Sequence, residues 1–320
     1  LGFLKENYSH EKNNEILGNV LISVCDMNDN KIIELITEHI NTNKYEIGMK
    51  DFHNALIINC NHGYTYLLTF LLEHYNTNEY INFAVSNNSN IILKNACRFN
   101  NDHVVIFIIN LIKQNMLFGL SMSDYLKSLE MSFIYNHYCI MKILFTNFNN
   151  IVLPNLDFDF DSDSDLDLKC TLNKIFKWTC DNNEINIFKI LFQHFKSIIN
   201  LSMDRNYPIR IASEYGYIEI VIALINEDTI DPSDMDHYAF KYACENGHTD
   251  VVKILLNNNK INPSIMHSHG FRMAAKNGHI EIIKILLEDG RSDPKALDNY
   301  ALKMATINYH TDIINILKLQ

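Results

Sequence analysis

The side chains that could do chemistry in this sequence are seven cysteines, fourteen histidines and a run of alternating aspartates. The cysteines are scattered singly, with no CxxC pair and an odd total, which points to reduced thiols in an intracellular protein rather than to a disulfide frame. The run Asp157 to Asp167, DFDFDSDSDLD, places six carboxylates at alternate positions. A calcium loop of the EF-hand kind needs Gly at its sixth position and Glu at its twelfth; counted from Asp157 these are Ser162 and Leu168. The segment is therefore read as a solvated insertion whose like charges extend the chain. Neither a Ser–His–Asp or Cys–His set, nor a Gly-rich phosphate loop, nor an HExxH is present, so no catalytic residue, metal or cofactor is expected.

Charge and composition narrow the partners. A formal charge of −11 and a pI near 5.7 argue against general nucleic-acid binding, which needs a basic face to release phosphate counterions. The longest apolar run, Val104 to Ile109, is far below the ~18 residues that span a bilayer, so no membrane partner is expected. Only 10 Gly and 5 Pro serve 320 residues, against 43 Asn and 44 Ile. Asn is the residue best able to replace Gly where φ is positive, so the turns are expected to use it.

What positions the scattered Cys and His is an internal repeat. From the C-terminus backwards, YALKMATINYHTDIINILK, GFRMAAKNGHIEIIKILLE, YAFKYACENGHTDVVKILLN and YPIRIASEYGYIEIVIALIN align without gaps. Their small anchors Ala305, Ala274, Ala243 and Ala212 stand 31 residues apart, as do Pro294, Pro263 and Pro232 in the connections. Fainter copies are anchored at Thr179, Ser132, Ala96, Asn59 and Val24, at spacings of 33 to 47, giving about nine units over residues 1–320, most regular over 200–320. Each unit holds two short apolar-periodic stretches joined by a tight turn, a helix–turn–helix pair. Helices of two to three turns are not stable alone in water, so each pair must stack on its neighbours in a solenoid.

Three columns test the register. Four residues after each anchor stand Asn28, Gly63, Asn100, Asn136, Asn183, Gly216, Gly247, Gly278 and Tyr309. Gly and Asn are the residues that most readily take the left-handed conformation ending a helix. Tyr309, with Lys318 in the following helix, reads as a terminal unit with a polar outer face. One residue after the anchor stand Cys25, Cys60, Cys97, Cys180 and Cys244, alternating with Ala275, Ser213 and Thr306: a small-residue packing column, not a thiol site. His137, His248, His279 and His310 likewise share one column after the turn, which periodicity explains better than metal ligation.

The units resemble ankyrin repeats, whose signature is T-P-L-H-x-A at a period of 33. Pro208-Ile209-Arg210-Ile211-Ala212 matches the P-L-H-x-A part, and NGHTDVVKILL from Asn246 to Leu256 is similar to the family's second helix. The Ile/Asn bias and the Tyr-Ala openings (Tyr238-Ala239, Tyr300-Ala301) resemble the divergent ankyrin proteins of giant DNA viruses of amoebae. Two departures stand out. The 31-residue period implies clipped β-hairpin fingers between repeats. The family's His is replaced by Lys94, Lys177, Arg210, Lys241, Arg272 and Lys303, with Glu130 in a seventh unit. In the family that His ties neighbouring turns together, so either the cations take over the bond or the lattice between repeats differs. The cations are expected to pair with loop acids such as Asp204, Asp236 and Asp298; a basic stripe for an acidic or phosphorylated partner is the other reading.

The resemblance implies an all-α ankyrin-like solenoid that binds proteins, as a monomer, through its concave face and loop tips, with no enzymatic activity. It also implies a viral chain acting on a host protein, in the host cytoplasm or nucleus. The alternative is the substrate-receptor part of a ubiquitin-ligase adaptor whose F-box-like segment lies outside this chain. Binding positions in such arrays fall two and three residues after each anchor. Most of these are polar, but Arg98 and Phe99, then Ile134 and Tyr135, then Tyr215, break the habit and are the expected partner-binding residues.

Overall fold

The structure, a computed structural model, describes residues 16, 19–20, 22–23, 30–43, 48–62, 91–113, 121–151 and 166–320, and among them every regular element is an α-helix. The chain divides into two compact units, Leu1–Thr171 and Leu172–Gln320. The first contains α1 (Asn30–Asn43), α2 (Met49–His62), α3 (Ile91–Arg98), α4 (Asp102–Lys113), α5 (Met122–Ile134), α6 (Tyr138–Thr146) and the single turn α7 (Phe148–Ile151). Helix α8 (Leu166–Asp181), most of it in the second unit, is followed there by α9 (Ile185–Phe195), α10 (Met203–Tyr215), α11 (Ile218–Ile225), α12 (Asp234–Glu245), α13 (Thr249–Leu256), α14 (Ile265–Asn277), α15 (Ile280–Asp289), α16 (Ala296–Ile307) and α17 (Thr311–Leu317). Of the acidic run, Leu166 and Asp167 already belong to α8; Asp157 to Asp165 lie outside the described residues, as do Val24, Cys25, Asn28 and Gly63.

The pairs stack as the periodicity requires. In the second unit the first helices α10, α12, α14 and α16 pack on one another in sequence order, and so do the second helices α9, α11, α13, α15 and α17. In the first unit α3 packs on α2 and α5, and α4 on α6. The anchors Ala96, Ser132, Thr179, Ala212, Ala243, Ala274 and Ala305 are fully buried, because a small side chain there lets successive first helices approach closely. The second helices bury repeating pairs and their i+4 partner, such as Val251, Val252 and Leu255, then Ile282, Ile283 and Leu286.

The turn column is left-handed at every described member, with φ of 60° at Asn100 and Asn136, 53° at Asn183 and 76–84° at Gly216, Gly247 and Gly278. Tyr309 takes the same conformation, φ 60°, so the one apparent exception differs only in residue type. The next amide then reaches back to the anchor carbonyl: His137 to Ser132 at 2.7 Å, Tyr217 to Ala212 at 2.8 Å, and His248, His279 and His310 to Ala243, Ala274 and Ala305 at 2.9 Å each. This six-to-one bond is the Schellman closure of the first helix, and it satisfies the carbonyl that helix termination would orphan. The polar outer face expected of the last pair is only half there: Lys318 is exposed, but so are Ile307, Tyr309 and Leu319.

The short period is not absorbed by a clipped hairpin. In the second unit each connection is an Asx turn, in which Asp231, Asn262 and Asp293 accept the amides of Ser233, Ser264 and Lys295 across the intervening prolines. One left-handed turn of three residues follows: Asp204–Asn206, Met235–His237, Met266–Ser268 and Leu297–Asn299, all with φ between 48° and 59°. None of the twelve is glycine, and each costs roughly 1–2 kcal/mol against the right-handed alternative. The right-handed helix proper starts only after this turn, which is why Pro208 is tolerated near its first position.

Candidate protein-binding surface

The residues expected to bind a partner sit at the ends of first helices, where the Schellman turn lifts them away from the stack. In the first unit Phe99, Ile134 and Tyr135 are 42, 55 and 43% exposed, and Arg98 is exposed beside them. The Arg98 guanidinium carbon lies 5.3 Å from the Phe99 ring centre and 5.5 Å from that of Tyr135, bridging two successive units by cation–π contact. Tyr135 stacks on His137 at 6.1 Å, and the His137 ring is itself tied through Nδ1 to the Cys97 carbonyl, 2.8 Å. Arg98, Phe99 and Tyr135 therefore form one cluster with Ile134 next to it in sequence. Tyr215 belongs to the second unit, where it is 55% exposed and stacks on Tyr217 at 5.8 Å.

The histidine column is structural and does more than the sequence announced. His248, His279 and His310 donate through Nε2 to the carbonyls of Glu214, Glu245 and Lys276 in the preceding repeat, at 2.8, 2.8 and 2.9 Å. A carbonyl only accepts, so Nε2 carries the proton in each. The same three carbonyls accept the side-chain amides of Asn246, Asn277 and Asn308. Each imidazole lies flat on the turn glycine of the previous repeat: a Cβ on Gly216, Gly247 or Gly278 would come within 2.5–2.7 Å of the ring. The signal for this in the sequence lies in the regular repeats, where Gly216, Gly247 and Gly278 each precede a repeat that supplies this His, whereas Asn136 and Asn183 precede the repeats with Glu184 and Tyr217 in its place.

A second set of bonds between repeats comes from the left-handed turns. Asn206 Oδ1, His237 Nδ1 and Ser268 Oγ accept the amides of Asp231, Asn262 and Asp293 in the next connection, at 2.9, 3.3 and 2.7 Å. Arg291 adds a staple of its own, donating to the carbonyls of Ile261 and Leu256 at 3.1 and 3.0 Å while its guanidinium forks onto Asp289. That pairing holds the Asp289 carboxyl below its usual range.

The cation column divides. Lys177 pairs with Asp204 at 3.0 Å and Lys303 with Asp298 at 2.5 Å, as expected. Arg210 and Arg272 do not take loop carboxylates; each binds two carbonyls of its own left-handed turn, Asp204 and Arg205 in one case, Met266 and His267 in the other, at 2.9–3.0 Å. Lys241 and Asp236 form no ion pair with each other, and the Lys241 ammonium instead lies 3.4 Å from the Met266 sulfur. Arg210, Arg272 and Lys303 thus brace turns within their own repeat, while Lys177 and Lys241 reach the turn of the next and join the His and turn side chains in bonding between repeats. Cys97, Cys180 and Cys244 are buried, and burial pushes their thiols up, that of Cys180 to about 12, so they are packing groups. Cys139 and Cys170, outside the column, are exposed.

A stack of short helix pairs joined by tight turns defines a helical repeat protein. Residues 176–267 and 241–319 match the model of the ankyrin-repeat family, in three copies, so this part of the chain is made of ankyrin repeats, which generally mediate protein–protein interaction. No curated protein matches the chain. Among the described residues no helix is long and apolar enough to cross a membrane.

Proposed function

We propose that the protein is a non-catalytic scaffold that captures a protein partner on the surface built in the first unit by Arg98, Phe99, Ile134 and Tyr135, and that Tyr215 is a partner-binding residue of the second unit taken by itself. The observation that supports this most directly is the guanidinium of Arg98 lodged between two exposed aromatic rings from successive units. Exposed aromatic and Arg side chains already fixed by one another lose little rotamer freedom on binding and desolvate a large area, which is how interface hot spots work. The repeat array is read as running over residues 1–320 in about nine units, supported by the same Schellman closure around Ala96 and Ser132 as in the regular repeats. The Asn- and Ile-rich repeats with their Tyr-Ala openings are the ground for reading this as a viral chain that acts on a host protein.

The test is capture from amoebal lysate by immobilised wild-type chain and by the Phe99→Ser/Tyr135→Ser double variant, with bound proteins quantified by mass spectrometry. The expected result is a partner retained by the wild type and lost at least tenfold by the variant, about 1.4 kcal/mol or more. An unchanged melting temperature should accompany it. Equal capture by both chains would place the interface elsewhere.

A further inference from the structure

One column changes sign between the two units. Two residues after the anchor, repeats of the second unit carry carboxylates, each met by a hydroxyl five residues before the next anchor: Tyr207 donates to Asp181 at 2.8 Å and Tyr238 to Glu214 at 2.7 Å. In the first unit the same two positions, after Ala96 and before Ser132, hold Arg98 and Lys127. Both are exposed, both can only donate, and neither forms an ion pair or a hydrogen bond among the described residues. What holds Arg98 is the pair of rings, Phe99 at 5.3 Å and Tyr135 at 5.5 Å from the guanidinium carbon. Ring faces attract a guanidinium but offer no oxygen to its five N–H donors, so the fork is left without an acceptor. The two helices that carry these residues, α3 and α5, hold Lys94, Arg98 and Lys127 against Asp124 and Glu130, a net positive charge in a chain whose total is −11.

We infer that the partner of this surface offers it a glutamate or aspartate side chain set between two large apolar side chains, with the carboxylate on the Arg98 fork. The inference rests on the aromatic surface proposed above and adds the chemistry that recognises it. A planar fork of donors matches a carboxylate in two parallel charge-assisted bonds, which neither ring can supply. The rings keep water off part of the guanidinium, and apolar partner side chains laid on Ile134, Phe99 and Tyr135 displace more of it, so the pair is screened less than an ion pair on open surface. An extended segment turns residues i, i+2 and i+4 to one side at intervals of about 6.6 Å, close to the spacing of Arg98 from its two rings. The pattern apolar-x-acid-x-apolar therefore brings all three side chains to one cluster. A single exposed guanidinium suits one carboxylate rather than a phosphate, whose sites gather several Arg.

The experiment is a fluorescence-anisotropy titration of the full chain into the peptide Phe-Ser-Glu-Ser-Leu, capped at both ends and carrying an uncharged label. Binding is expected to weaken as salt is raised. It should be at least fivefold tighter than for the same peptide with Gln in place of Glu, and than for Phe-Glu-Ser-Ser-Leu, whose carboxylate points away from its apolar side chains. Phosphoserine in place of Glu should bind no tighter. The decisive variant is Arg98→Glu, an exposed change expected to leave the melting temperature within a few degrees of the wild type. It should reverse the preference and bind Phe-Ser-Lys-Ser-Leu at least fivefold tighter than the Glu peptide, a reversal that no folding defect produces. No binding, Glu no better than Gln or than the shifted Glu, a tighter phosphoserine peptide, or an unreversed preference in Arg98→Glu would overturn the inference. If Phe99→Ser/Tyr135→Ser loses the captured partner while the Glu and Gln peptides bind alike, the surface stands and the carboxylate falls. Equal capture by that variant removes the surface itself, so the two failures are separate results.

Discussion

At Gly247 two constraints meet on one residue. Its φ of +84° favours glycine, and the His279 ring occupies the space a Cβ would need, 2.6 Å away. Sequence reasoning allows Asn there because Asn tolerates positive φ; the imidazole does not. Gly247→Asn is expected to destabilise by about 1–3 kcal/mol in a urea titration, not to be mild. Adding His279→Ala should recover part of that loss, so the double-mutant cycle should be clearly non-additive. The Asp289–Arg291 fork makes a second prediction at this scale. Asp289 titrates below the ordinary 3.8 because Arg291 binds its charged form, so its contribution is complete above that value and is lost as the pH falls below it toward the folded-state value. Stability against pH should drop less steeply at the acid end in Asp289→Asn than in the wild type.

The element that distinguishes these repeats is the three-residue left-handed turn. It persists without glycine because its side chains and carbonyls are used: the third residue accepts the next connection's amide, and Arg210 or Arg272 clamps the carbonyls of the first two. Ser268 is fully buried, and Ser268→Ala would leave the Asp293 amide without its partner, a cost of about 1–3 kcal/mol. Ser268→Asn, the residue type found at Asn206, should recover part of that loss if its carboxamide oxygen reaches the same amide. Thermal melts of the two variants would show whether the acceptor or merely the volume matters. Equal melting temperatures for both would remove the bond from the account of how repeats are joined.

Over the whole of the second unit, stability is a sum of interfaces between neighbours, since each helix pair is too short to hold itself together. Ala274 is fully buried between first helices, so Ala274→Arg should disrupt that interface by several kcal/mol through overpacking and an unpaired charge. Asn259→Arg, at an exposed site, should be nearly silent. Hydrogen exchange would show the consequence spreading: protection should fall in α12 and α16 as well as in α14, while Asn259→Arg leaves all three protected. A loss confined to α14 would mean that the repeats are more independent than the stacking implies.

What the sequence determined by itself was everything that repeats: the anchors, the turn column, the pairing of short helices and the ankyrin character of residues 176–319 were legible because packing imposes one residue type at one spacing many times over. The candidate residues Arg98, Phe99, Ile134, Tyr135 and Tyr215 were legible for the converse reason, as breaks in a polar column. What only the tertiary structure decided were the partners across repeats. That Arg98 lies between Phe99 and Tyr135, that the His and Asn side chains meet carbonyls in the preceding repeat, and that Arg210 binds backbone where Lys177 binds a carboxylate all depend on side-chain directions at interfaces between units. The left-handed connection was hidden for a related reason. Asp, Asn and His tolerate positive φ but are common throughout this chain, and Met, Leu, Arg and Ser carry no such preference, so no residue type marks three successive left-handed residues that the surrounding hydrogen bonds hold.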